Sequence, residues 1–204
     1  MNGCSKKNED TAHYQFTTED NQKMLDFIDN DTIVYQNQLN QEIKYVAEKG
    51  DGIQKRQYTT DQWLKPYEFN YYFYYDYKHL YVQQVKTVEG LSCFGMIYYF
   101  SRMPIDIRDA KVNSYELLES EFVASFSIDR YNKEELLRVD FKAARSEMLI
   151  GDTLYKHVTT YKSGNNDAIE GLCTKDFNVI YYDDHKGIIG FDDVYGNQWR
   201  IKRN

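Results

Sequence analysis

The stretch Glu68-Phe69-Asn70-Tyr71-Tyr72-Phe73-Tyr74-Tyr75-Asp76-Tyr77 decides the fold class. Its period is two. Phe69, Tyr71, Phe73, Tyr75 and Tyr77 fall on one face of a strand, and Asn70, Tyr72, Tyr74 and Asp76 on the other, because successive side chains of an extended chain point to opposite sides. Rings on both faces set a further condition. One face fills a core; the other, carrying Tyr72 and Tyr74, is either covered by another layer or offered to a partner. Tyr72 and Tyr74 are therefore the candidate ligand-binding residues, since an exposed tyrosine stacks sugars or peptides while its hydroxyl keeps to water. A covered cross-strand tyrosine ladder with no ligand is the plainer reading of the same pattern.

Outward from this strand the period stays mostly two. A turn near Asp76 to Lys78 leads into Leu80 to Val85, which makes a hairpin, and Gly50-Asp51-Gly52 reads as another hairpin turn. Leu91 to Phe100 is a strand, with Pro104 in a loop after it. Phe122, Ala124, Phe126 and Ile128 alternate with polar neighbours, and Leu137, Val139 and Phe141 repeat the pattern. Arg145 to Gly151 is ambiguous. Leu154 to Tyr161, Phe177 to Tyr182, Gly187 to Phe191 and Gln198 to Lys202 read as strands, the last two joined by a Gly- and Asn-containing loop. The helix signal is near the start, where Thr18 caps acidic residues and Met24, Leu25 and Ile28 share a face; Tyr115 to Leu118 is a short helix or turn. Roughly ten strand candidates without βα alternation predict a mainly β fold: a single antiparallel sandwich, barrel or curved sheet with one short N-terminal helix. Residues 1–18 read as a flexible polar tether and 19–204 as one domain.

The chain has 204 residues, enough for a core without metal or disulfide staples. Twenty tyrosines against 2 prolines suit half-buried sheet surfaces. The net charge of -7, with no dense Lys/Arg run, disfavours nucleic acid as a partner and gives no electrostatic reason to approach anionic lipid. No apolar run is long enough to span a bilayer as a helix.

The first residues, Asn2-Gly3-Cys4-Ser5-Lys6-Lys7, resemble the junction of bacterial lipoproteins, in which the Cys becomes the acylated first residue of the mature chain. The resemblance implies lipidation of Cys4 and a membrane partner reached through that lipid, with a polar tract behind it as spacer. At the other end, Asp176 to Tyr182, Lys186 to Phe191 and Gly196 to Trp199 are similar to the closing strands of uncharacterised lipoproteins of Bacteroidetes-type bacteria. That resemblance implies the bacterial cell envelope (outer membrane, periplasmic or surface face) and carries no activity.

Catalytic signatures are absent from the sequence. Cys93 and Cys173 are either a disulfide or two buried thiols. His13, His79, His157 and His185 form no metal-binding spacing, so no metal and no cofactor is expected. Asp183-Asp184 and Asp192-Asp193 could hold Ca²⁺ if they met at one end of a sheet, although their spacing is not that of an EF-hand. The reading is a non-enzymatic binding or structural module, with a glycan, a peptide or a hydrophobic ligand as the partner. The alternative is a hydrolase whose acidic catalytic residues are distant in sequence. Oligomeric state is not legible.

Overall fold

Residues 70–77 of the aromatic stretch lie on an interior strand of one curled antiparallel sheet, a half-barrel; Glu68 and Phe69 lie outside the described residues. The computed structural model describes residues 13–25, 29–59, 70–85, 95–104, 119–130, 133–162 and 177–202. In chain order the elements are β1 (His13–Tyr14), α1 (Thr18–Lys23), β2 (Thr32–Gln36), β3 (Glu42–Thr59), β4 (Asn70–Gln84), β5 (Gly95–Pro104) and β6 (Ser120–Arg130), followed by β7 (Lys133–Arg138), β8 (Ser146–Ile150), β9 (Thr153–Lys162), β10 (Phe177–Asp183), β11 (Gly187–Asp193) and β12 (Gln198–Lys202). Among the described residues the sheet order is β7-β6-β5-β4-β3-β2-β12-β11-β10-β9-β8, and β1 adds to β4 in parallel. Two meanders, β2 to β7 and β8 to β12, are thus joined where β12 pairs with β2.

Curling brings the two meanders face to face. Phe126 of β6 stacks on Tyr182 of β10 with ring centroids 5.3 Å apart, and Tyr98 of β5 approaches the same ring. Tyr35 of β2 donates to the Ile188 carbonyl of β11 at 2.6 Å, and the Ile188 amide donates to the Tyr98 hydroxyl at 3.1 Å. One face of each strand therefore packs inward, as a twisted sheet that wraps its own apolar face requires. The core includes Ile33 and Tyr35, Ile43, Tyr45 and Ala47, Leu80 and Val82, Met96, Tyr98 and Phe100, Ala124 and Phe126.

On β10 and β11 the inward residues break strict alternation, and two bulges explain why. Between Phe177 and Val179 the partner moves only from Asp193 to Asp192, leaving Asn178 extra; between Tyr182 and Tyr181 it jumps from Ile188 to Gly190, leaving Ile189 extra. Each extra residue flips the parity. Phe177 and Ile180, like Ile188 and Phe191, consequently all reach one core. Ile189 instead packs with Tyr155 and Val158 in a separate cluster.

Several expectations are corrected. Gly50-Asp51-Gly52 is not a turn but lies within β3, and no turn interrupts β4 at Asp76 to Lys78. The two strands pair without a register break from Tyr45↔Gln84 to Thr59↔Asn70. Pro104 closes β5 instead of sitting in a loop after it, and Arg145 to Gly151 resolves into β8 and its turn. Thr17, not Thr18, caps the helix: its hydroxyl accepts from the Asp20 amide while the Asp20 carboxylate accepts from the Thr17 amide. The helix stops at Lys23, so the Met24-Leu25 pair belongs to the chain leaving it. The described structure already begins at His13, where β1 pairs Tyr14 with Tyr75. Tyr115 to Leu118, Cys4, Cys93 and Cys173 lie outside the described residues.

Candidate functional site

The inward-facing row of the long β3–β4 ribbon changes character along its length. On β3 it runs Ile43, Tyr45, Ala47, Lys49, Asp51, and on β4 Val82, Leu80, Lys78, Asp76. Apolar residues give way to charged ones one step earlier on β3, where Lys49 faces Leu80, than on β4, where Lys78 faces Asp51, because the core ends there and water begins. At that level the half-barrel has an open mouth.

A cleft of about 560 Å³ occupies this mouth. One wall is α1 and the chain leaving it, through Asn21, Met24 and Leu25; the other is formed by Lys49 and Lys78, with Lys186 entering from the β10–β11 turn. The floor is apolar. Leu25, Leu80 and Phe100 line the cleft and also belong to the core cluster. Leu25 reaches this position because residue 187 is a glycine: a β-carbon there would lie 3.0 Å from Leu25 Cδ1 and 3.1 Å from the Tyr98 hydroxyl, and the backbone φ of 72° favours glycine as well.

The helical wall is anchored from below. Asp20, 2 % exposed, accepts from Arg102 Nη1 of β5 at 2.7 Å in addition to its capping bond. Arg102 is itself held by the Ser120 hydroxyl. Upstream, Asp76 accepts from the Phe16 amide at 2.9 Å and pairs with His13 Nε2 at 2.8 Å. Two carboxylates on different elements thus fix the segment leading into α1 and the first turn of the helix.

The opposite face of β4 carries a stripe of rings. His79 lies 5.8 Å from Tyr77 and 4.6 Å from Tyr81, with Gly52 and Gly50 of β3 directly opposite Tyr77 and His79. The side-by-side glycines leave room for rings to lie over the neighbouring strand.

Of the residues singled out by sequence, Tyr74 is half-buried, on the same side of β4 as Asp76, with its ring edge-on to His13 at 6.4 Å. Tyr72 pairs with Gln57, and its side chain lies outside the described part. The acidic pairs do not meet. Asp183 and Asp192-Asp193 stand at opposite ends of the β10–β11 hairpin, because the turn joining those antiparallel strands lies at one end only. Each carboxylate has work of its own: Asp183 accepts from the His185 and Lys186 amides, Asp184 pairs with Arg145, and Asp192 pairs with Arg200. Among the described residues no group of three or more His, Cys, Asp or Glu is arranged to hold a metal ion. Among the described residues Asp51 is the single acidic side chain on the cleft.

Sequence reasoning missed Lys49, Lys78 and Lys186. The signal for the first two was present, since a lysine at an inward position of an otherwise apolar row marks the rim of a core. Lys186 had none, because its arrival depends on the curl of the whole sheet. Comparison with known protein families, characterised proteins and solved structures finds no match to this chain.

Proposed function

We propose that the chain is a non-enzymatic binding module, displayed on a bacterial cell envelope by a lipid on Cys4, and that the cleft at the mouth of the half-barrel holds a hydrophobic ligand. One observation carries the binding part: Leu25, Leu80 and Phe100 belong at once to the core and to the cleft lining. An apolar ligand there covers the half-buried Met24 and the small part of these core residues that remains exposed, with no need to open the sheet. The volume lies within the range of small-molecule sites, roughly 300–1,000 Å³. The lipoprotein-like junction at residues 2–7 supports the anchor. A second reading, stacking of a glycan or peptide, draws support from the Tyr77, His79 and Tyr81 stripe on the outer face.

Native mass spectrometry of the full chain, extracted gently from membranes, tests both parts, with Cys4→Ser as the reference. An acyl mass on the wild-type chain, absent from the variant, and a retained apolar molecule are expected. An unmodified chain in the soluble fraction overturns the anchor. A ligand-free chain that also fails to take up an apolar fluorophore overturns the cleft, whereas retention of an oligosaccharide supports the second reading.

A further inference from the structure

We infer that the cleft selects an anionic amphiphile: a single apolar chain ending in a compact carboxylate or phosphate group. The inference rests on the cleft reading above and adds the headgroup. In a chain of net charge -7, the cleft gathers Lys49, Lys78 and Lys186 against one carboxylate among the described residues, Asp51. Among the described residues none of these lysines forms an ion pair, a state they share with Lys44, Lys142, Lys156 and Lys162, so what sets them apart is their convergence on one cleft; Arg102, Arg138, Arg145, Arg200, Lys23 and Lys202 are paired. Asp51 faces Lys78 across the β3–β4 ladder without closing a salt bridge. Lys78 is held in place by neutral groups instead: its ammonium lies 5.8 Å above the Phe16 ring and 3.5 Å from the Asn21 side-chain oxygen.

The arrangement puts unneutralised positive charge on the rim and apolar carbon on the floor. Lysine ammonium groups are point charges that suit a compact anion approached from several directions, where a planar fork would demand one geometry. Because the rim is open to water, each charge contributes little by itself. The tail covers the half-buried Met24 and the small exposed remainder of Leu25, Leu80 and Phe100 (9 %, 4 % and 4 %), so its contribution is modest, and the three lysines supply selection.

The test uses the full chain and four probes: hexadecanoate, hexadecyl phosphate, hexadecanol and inorganic phosphate. Each competes with a cleft-bound apolar fluorophore or is titrated calorimetrically. Both anionic amphiphiles are expected to bind about tenfold tighter than the alcohol, with inorganic phosphate not binding. Combining Lys49→Gln, Lys78→Gln and Lys186→Gln should abolish that preference while leaving the alcohol's affinity unchanged. Lys156→Gln with Lys162→Gln, on β9 away from the cleft, should change neither. Equal binding of alcohol and anions by the wild type overturns the headgroup selection but leaves the hydrophobic site standing. Failure of all four probes overturns the cleft reading itself. Tight binding of inorganic phosphate alone overturns the requirement for a tail. Preference for one anionic amphiphile over the other identifies the headgroup as carboxylate or phosphate.

Discussion

The imidazole of His79 lies over Gly50 across the β3–β4 pair, so close that a β-carbon at position 50 would fall 2.1 Å from Nε2. The ring has little freedom to yield, since Tyr77 and Tyr81 flank it along β4. Gly50→Ala is expected to destabilise the protein by about 1–3 kcal/mol, the usual cost of overpacking. Adding His79→Ala should recover most of that loss. A double-mutant cycle by urea denaturation measures the coupling; additive losses would mean that the ring is not what excludes the methyl group.

The interior tyrosines are not equivalent. Tyr98 accepts the Ile188 amide proton, while the Tyr45 hydroxyl, fully buried, has no partner among the described residues. Removing an unpaired buried hydroxyl relieves a desolvation cost, whereas removing a paired one leaves its partner stranded. Tyr45→Phe is therefore expected to be neutral or stabilising, and Tyr98→Phe to cost about 1–3 kcal/mol. Chemical denaturation of the two variants decides it. A loss at Tyr45 as large as that at Tyr98 would reveal a bound water or other partner on the Tyr45 oxygen.

Burial also pushes the phenol pKa values of Tyr35, Tyr45, Tyr98 and Tyr182 upward, with neighbouring tyrosines adding to the effect at Tyr35, Tyr45 and Tyr182. Above the ordinary phenol value of about 10, the unfolded chain loses these protons while the folded chain keeps them. The unfolded state then binds fewer protons, so stability falls as pH rises. It is fully present below pH of about 10 and lost progressively above it. In an alkaline titration, the phenolate absorbance of the buried group should appear together with loss of sheet circular dichroism. Early, non-cooperative ionisation of all tyrosines would contradict this packing.

Legibility of the fold follows from the range of each interaction. Period-two stretches such as Phe122 to Ile128 are local and translate directly into strand faces. Gly50-Asp51-Gly52 misleads because glycine also serves a strand whose neighbour carries rings, and that neighbour is distant in sequence. Asp76 to Lys78 misleads for a related reason: inward-facing charge looks like a turn when the end of the core is unknown. The Asn178 and Ile189 bulges leave no composition signal in apolar runs. The cleft needs β3, β4, α1 and the β10–β11 turn together, and only the closed curl makes them neighbours.

Asp193 organises the β11–β12 hairpin. Buried to 2 % exposure, it accepts from the Tyr195 and Asn197 amides, from Asn197 Nδ2 at 2.9 Å and from the Trp199 indole at 3.0 Å. Asp193→Ala strands these donors and should cost about 3 kcal/mol, while Asp193→Asn, which keeps one acceptor oxygen, should cost less. In a Trp63→Phe background, Trp199 emission reports the lost bond directly. Unchanged emission in the alanine variant would show that the indole finds another acceptor.

The wall of the cleft depends on a carboxylate that touches no cleft surface. Asp20 joins the α1 cap to Arg102 of β5, so Asp20→Asn removes the countercharge of a partly buried guanidinium while keeping an acceptor for the Thr17 amide. The expected cost is about 2–3 kcal/mol, below that of breaking a fully buried pair because Arg102 retains some water. The loss should be local. Hydrogen exchange is expected to quicken at the Asn21 amide, which bonds to the Thr17 carbonyl, and to stay unchanged at β3 to β6. Because Asn21, Met24 and Leu25 form the wall, a fluorophore bound in the cleft should also dissociate faster. Replacing both partners, Asp20→Asn with Arg102→Met, removes the stranded charge and should restore part of the stability. Uniformly faster exchange across the sheet would instead make Asp20 a determinant of the whole fold, and the wall would then have no stability separate from it.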